Sequence, residues 1–247
     1  DFILWKPSKV NEPAWSSPWG MGRPGWHTEC FVMATEILGT PFDIHGGGLD
    51  LKFPHHENEL AQSCCFSENI NKINSYAKYW MHNGFVTVNA EKMSKSHGNI
   101  SLVKDYLKLF DGEVIRLGLL SAHYRSPLNW SEEVLTQSKN RLNKYKKILE
   151  QHRNLSVIEI TNNNIINKIE EALLDDLNIS KSLSILDLCV KDFSKKDIEE
   201  KKNVLQAIIF LGKIIGIFSK KQDNLYKEQD KNIKEEEINL LIKKRNE

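Results

Sequence analysis

The sequence predicts an α/β domain that carries chemistry, followed by an α-helical domain. Three observations point there. All seven prolines of the 247-residue chain lie at or before Pro127, and all six tryptophans at or before Trp130. Of 13 glycines only Gly212 and Gly216 lie beyond that point, and of eight histidines only His152. The later part is instead rich in Lys, Asn, Ile, Leu and Glu, with apolar residues at helical spacing. Turn-forming and chemistry-capable side chains are therefore concentrated in one part and helix builders in the other.

Composition bounds the class. The formal net charge is +1, so bulk charge exerts no pull on nucleic acid or membranes. Hydrophobic residues at 40% and charged residues at 27% exclude a wholly disordered chain. No apolar run reaches the roughly 18 residues of a membrane span, and no charged-then-apolar leader indicates secretion. The four cysteines, Cys30, Cys64, Cys65 and Cys189, do not have the spacing of a disulfide framework. Such usage points to a reducing, cytoplasmic setting. Cys64, Cys65 and Cys189 are expected to be ordinary buried packing residues. Asp1 to Lys6 reads as the inside of an apolar strand, and Glu235 to Glu247 as an amphipathic helix that stops within itself. The chain thus reads as an internal piece of a larger protein.

Residues 11–25 combine Pro13, Pro18 and Pro24 with Gly20, Gly22 and Gly25, which predicts an ordered irregular loop, packed down by Trp15 and Trp19. Residues 27–38 read as a helix ended by Gly39. Phe42 to Ile44 is a short strand that runs into His45-Gly46-Gly47-Gly48-Leu49-Asp50. Three glycines after a strand allow close backbone approach to a ligand or an anion-binding nest, with a flexible turn as the alternative. Asp50 stands where a carboxylate can accept from ribose hydroxyls.

Pro54 suits the first turn of a helix on which His55 and Glu59, four residues apart, share a face while His56 points elsewhere. An isolated pair of this kind is usually a surface ion pair. Cys30 adds a soft ligand, and Cys, His and carboxylate together make the pattern of a working zinc site. Lys92-Met-Ser-Lys-Ser96, with His97 and Gly98, follows a strand at Phe85 to Val88 and precedes a helix near Ser101. Two lysines and two small serines suit a mobile polyphosphate clamp; as bare composition a solvated charged turn serves equally.

In the later part Ser131 can cap a helix with Glu132 and Glu133 in its first turn. Val134, Leu135, Leu142, Tyr145, Ile148 and Leu149 recur at helical spacing, and further helices are expected over Ile165 to Leu177, Leu183 to Val190 and Val204 to Phe218. From Ser131 onward 22 basic residues face 20 acidic ones. The local basic stretch of Lys139, Arg141, Lys144, Lys146 and Lys147 reads first as a solvated helix face and second as an RNA-backbone contact.

The string KMSKS after HGGG-L-D and HHENE resembles class I aminoacyl-tRNA synthetases. GRPGWHTEC, DIHGGGLDLKFPHHENELAQS, YWMHNGFV and EKMSKS with HGN narrow the resemblance to the cysteinyl-tRNA synthetase family. The likeness is dense from Leu4 to about Trp130 and weaker, through Asp175-Asp-Leu-Asn178, to roughly residue 218. It implies an α/β fold: the second half of a Rossmann-type catalytic domain over residues 1–90, and the KMSKS loop with a stem-contact region over 91–130. A helical bundle over 131–222 follows, and then a linker and the start of an anticodon-binding domain over 223–247.

The resemblance also implies roles. Cys30, His55 and Glu59 hold one zinc ion, with a fourth protein ligand, a cysteine, in an N-terminal part outside this chain. Trp26, with His55, lines the pocket for substrate cysteine. Lys95 binds the ATP phosphates and Lys92 assists it in catalysis, with ATP entering as its magnesium complex. Gly47, Gly48 and Asp50 resemble a ribose-binding element of the ATP site. The implied activity is cysteine–tRNA ligation, with tRNA(Cys), cysteine and ATP as partners and no membrane. The stretch Cys65 to Ala77 is longer than the family's usual link and reads as a surface insertion. The alternatives are the related ATP-dependent ligase of cysteine to an amino sugar, a zinc hydrolase built on HHENE, and a non-catalytic paralogue.

Overall fold

A computed structural model describes residues 2–67, 75–88, 91–93, 102–155 and 163–218. Most of the KMSKS loop, including Lys95, lies outside the described residues, as do most of the expected insertion and everything beyond Phe218. The chain divides into two compact units: residues 1–105 with 119–134, and residues 106–118 with 135–247. Among the described residues no helix is long and apolar enough to cross a membrane.

The first unit opens with β1 (Trp5–Pro7), paired antiparallel with β2 (Gly22–Pro24). Between them Trp15 bridges to Gly22, so the irregular loop is ordered by backbone bonds. Its tryptophans do not pack it down as expected: Trp15 is 56% and Trp19 78% exposed. Helix α1 (Trp26–Leu38) follows and ends at Gly39, whose φ is 74°. Strand β3 (Phe42–Gly48) pairs in parallel with β4 (Ala77–Asn83). The connection between them carries two helical turns over Leu49–Leu51 and Lys52–His56, the second interrupted at Phe53, and then α2 (Glu57–Phe66). A parallel pair requires such a crossover, and here the crossover carries the HHENE segment. The short strands β5 (Val86–Val88), β6 (Glu91–Lys92) and β7 (Leu128–Asn129) form a further sheet in the order β6-β5-β7. The core joins Phe31 of α1, Phe42 of β3, and Tyr76 and Ala77 at the start of β4, with Leu60 and Trp80 packed against it.

The three glycines are not a turn. They lie inside β3, with Gly46, Gly47 and Gly48 opposite Met81, His82 and Asn83. None has a positive φ, so the extended strand also replaces the anion nest. At Gly47 the need is space: a Cβ there would stand 2.8 Å from Cε1 of His56 and 3.1 Å from Cδ1 of Leu51. Two other expectations also change. Cys65 is exposed, because it lies on the outer side of α2, while Cys64 and Cys189 are half-buried.

The second unit contains most of α4 (Gly112–Leu119) and of α5 (Glu132–Gln151), then α6 (Asn164–Leu174), α7 (Ile179–Lys191) and α8 (Ile198–Ile215); the short α3 (Val103–Tyr106) precedes them. Each boundary has a local cause. Ser131 accepts from the Val134 N–H, Asn163 caps α6 and Asn178 caps α7. Asp197 and Glu200 form a reciprocal capping box that starts α8 well before Val204. Helix α6 stops at Leu174, short of the expected Leu177, because Asp176 and Leu177 adopt φ of 55° and 54°. Gly216 ends α8 with φ 69°. Leu135, Leu142, Tyr145 and Ile148 of the expected stripe are buried. Within the basic stretch, Arg141 pairs with Asp187 at 2.9 Å and Lys146 with Glu113 at 2.6 Å, so these two hold the helices together.

Two substitutions test this packing. Gly47→Ala should lower the stability of the first unit by about 1–3 kcal/mol through overpacking against His56. Gly46→Ala should cost less, since its Cβ would meet only the Met81 carbonyl oxygen at 3.7 Å. Equal urea-denaturation midpoints for the two variants would contradict the packing described. In the second unit Tyr145, fully buried, donates to Asp187 at 2.6 Å. Asp187→Ala should therefore cost about 1–3 kcal/mol by leaving that hydroxyl unpaired, and adding Tyr145→Phe should recover part of the loss. Strictly additive costs in the double variant would show that the pair does not act as a unit.

Candidate metal centre

Three elements converge on one buried carboxylate. Helix α1 presents Trp26 and Cys30 one turn apart, and is tied at its start by the Gly25 N–H donating to the Leu4 carbonyl at 2.8 Å. The turn before α2 presents His55 and His56, and α2 presents Glu59. The parallel pair supplies His45 and, across its register, Trp80 and His82. Cys30, His55 and Glu59 bring one ligand atom each within 4.8 Å of one another. His45, His56 and Glu59 form a second such group, which shares the carboxylate.

Glu59 has no exposed surface. Its Oε2 accepts from Tyr76 Oη at 3.0 Å and lies 3.3 Å from His45 Nε2. Its Oε1 lies 2.7 Å from His55 Nε2 yet takes no hydrogen bond. The other nitrogen of His55 is engaged, with its Nδ1 2.6 Å from His27 Nδ1. An orphaned, fully buried carboxylate oxygen facing an imidazole nitrogen, with a thiol beside them, is a set of donors that a metal ion satisfies. These residues fit such an ion. His56 does not point away: its Nδ1 meets His82 Nε2 at 2.8 Å and its ring packs edge-on to His45.

The electrostatics of the unliganded cluster follow from burial. Desolvation, then His27 and His45, lower the pKa of His55; desolvation lowers that of His45, with His82 adding to it. His56 is pushed down to about 4 by burial, with His45, His82 and His55 adding to it. Each of these shifts favours the neutral imidazole, the form that ligates. Burial raises Glu59 to about 7, against the Tyr76 hydrogen bond, which lowers it. Burial, Glu59 and Glu29 raise the Cys30 thiol. A bound cation reverses the last two directions, because it favours carboxylate and thiolate.

Of the other residues singled out by sequence, Trp26 is 57% exposed and stacks on His55, with ring centroids 4.0 Å apart. Gly47 adjoins the cluster through His56, and Gly48 adjoins the Asp50 carboxylate. Lys92 lies in β6 opposite Thr87, and Lys95 lies outside the described residues. Sequence reasoning missed His27, His45, His82 and Tyr76 as parts of the cluster. The concentration of histidine before residue 130 was their one signal; Tyr76 gave none.

A family model described as tRNA synthetases class I (C) catalytic domain matches residues 1–140. A Cysteine--tRNA ligase of Thermodesulfovibrio yellowstonii is 41% identical over 273 residues, covering 100% of this chain and 55% of that protein. One of Parvibaculum lavamentivorans is 48% identical over 220 residues, covering 88% of this chain and 46% of that protein. The chain spans about half the length of the curated relatives it matches. Among solved structures, the agnB2 LeuRS of Agrobacterium radiobacter K84, in a ternary complex with tRNA and LeuAMS, aligns with a TM-score of 0.62 at 14% identity. That alignment covers 82% of this chain and 32% of the other, and speaks to the fold alone. The chain belongs to the cysteinyl branch of the class I aminoacyl-tRNA synthetase family and has the family's catalytic-domain α/β fold of helices and short strands.

Proposed function

We propose that the protein containing this chain is a cytoplasmic cysteine–tRNA ligase that joins cysteine to ATP and transfers the cysteinyl group to tRNA(Cys). The observation that carries the reading is the orphaned Glu59 Oε1 set between His55 and Cys30. In this reading Cys30, His55 and Glu59 hold a zinc ion. A site with one sulfur, one nitrogen and one oxygen from the chain keeps room for a further ligand. Zinc, when bound, supplies a strong preference for a thiolate over a hydroxyl, which ordinary pocket contacts, at roughly 1–3 kcal/mol for so small a difference, do not.

The chain's own residues do the rest. Trp26, stacked on His55, walls one side of the cysteine pocket. His55, whose Nδ1 lies 2.6 Å from His27 Nδ1, backs that wall. Activation is an in-line displacement at the α-phosphate: the cysteine carboxylate oxygen forms the new bond, and pyrophosphate leaves with the electrons of the old one. Positioning and charge stabilisation are sufficient for such a step. Lys95 neutralises charge on the departing pyrophosphate, with Lys92 second to it, and ATP arrives as its magnesium complex. Gly47, Gly48 and Asp50 line the ribose side. We read residues 1–90 as the second half of the Rossmann-type catalytic domain and 91–130 as the KMSKS loop with the stem-contact region. Residues 131–222 are then the helical bundle, and 223–247 lead into an anticodon-binding domain.

Metal-edge spectroscopy of the full-length protein tests the selector. Adding cysteine should bring one new sulfur into the zinc coordination shell and adding serine none; an unchanged shell with cysteine would sink the reading. For the nucleotide end, Lys95→Ala should lower kcat of cysteine-dependent ATP–pyrophosphate exchange by about 10²–10³-fold, as for other lost transition-state contacts, with little change in the KM for cysteine. A loss confined to KM would remove Lys95 from the catalytic role.

A further inference from the structure

Glu59 belongs to two donor groups, and one side chain distinguishes its two oxygens. Oε1 faces His55, in the group that contains the Cys30 sulfur. Oε2 faces His45, in a group with His56 that contains only nitrogen besides the carboxylate. Tyr76 is fully buried at the head of β4 and donates its hydroxyl to Oε2 at 3.0 Å; the same hydroxyl lies 3.5 Å from the Cys30 carbonyl. Its ring is held by Phe42 and Phe31, at centroid distances of 4.9 and 5.8 Å. The hydroxyl is therefore held in place by the core rings, with the ring of His45 packed beside them at a centroid distance of 5.6 Å.

We propose that Tyr76 is a positioning residue that commits Glu59 to the sulfur-containing ligand set: by occupying Oε2 it leaves Oε1 for a metal shared with Cys30 and His55, and withholds the carboxylate from a metal shared with His45 and His56. This rests on the metal reading given above. Without the hydroxyl, Oε2 is a buried anionic oxygen in need of a positive partner. The nearest source is a cation held with His45 and His56. Metal bound there meets no thiolate of this chain, and the selection of sulfur over oxygen weakens with it.

The test uses the full-length protein loaded with cobalt(II), whose thiolate ligation gives a near-ultraviolet charge-transfer band. Cys30→Ser in the otherwise unchanged protein should lower that band. Tyr76→Phe keeps the ring and the core, and should lower the band to the same extent. It should also weaken zinc binding by about 10- to 100-fold in competition with a chromophoric chelator, as loss of a ligand's hydrogen-bond partner does. Adding Cys30→Ser to Tyr76→Phe should change the band no further. Phe31→Leu loosens the same core and should leave the band intact, which separates positioning from general loss of packing. An undiminished band and unchanged zinc affinity in Tyr76→Phe overturn this inference alone. A band in the unsubstituted protein that ignores Cys30→Ser overturns the metal reading beneath it, and this inference with it.

Discussion

Glu59 is a carboxylate with no exposed surface, set among three histidines, a tyrosine and a thiol. Desolvating an ion in this way is unfavourable by several kcal/mol unless partners replace the lost water. Much of the first unit is arranged to supply them. Tyr76 is carried to Oε2 by the residue position just before β4, and His45 by the parallel register of β3 on β4. His55 comes from the same helical segment four residues earlier, and Cys30 from the facing helix. Even the glycine run serves this end. Gly47 has no side chain because the ring of His56 needs that volume. A crossover between two parallel strands has thus been built around one carboxylate that the described residues leave half satisfied.

That incompleteness connects folding with binding. With one oxygen bonded and the other bare, the site is in balance only when Oε1 meets a proton or a cation. The raised pKa of Glu59 and the lowered ones of its histidines express the same competition. Protonating Glu59 removes its charge; charging the histidines adds repulsion; a metal ion satisfies carboxylate, imidazole and thiol together. A ligand that binds only the folded arrangement then stabilises it by mass action. The same side chains join the crossover, α1 and the β3–β4 pair, and within that arrangement Trp26 lies against His55.

The parts of this that were legible in the sequence were those with a short period. His55 and Glu59 stand one helical turn apart, and a turn is short enough to read from spacing alone. The helices of the second unit were readable for the same reason, although their ends were not: α6 stops early at two left-handed residues and α8 starts early at a capping box. What lay beyond reach was anything set by register between distant strands. His45 meets Trp80 and His56 meets His82 because β3 pairs with β4 in one register, and no local pattern encodes that pairing. The glycine run misled for a related reason. In isolation it reads as a hinge; in the sheet it is a strand whose missing side chains make room for neighbours.

The basic stretch of α5 shows where electrostatic reasoning from sequence must yield to packing. Five cations on one helix suggested either a solvated face or a surface for a polyanion. Arg141 instead joins α5 to α7 through Asp187, which also takes the hydroxyl of the buried Tyr145, and Lys146 closes on the buried Glu113. These two cations are neutralised where they stand. Lys139, Lys144 and Lys147 are exposed and contribute whatever field the helix projects. Nearly balanced charge in this half is therefore consistent with a helical unit whose first duty is internal: it spends part of its cations on holding helices in register, and only the remainder faces outward.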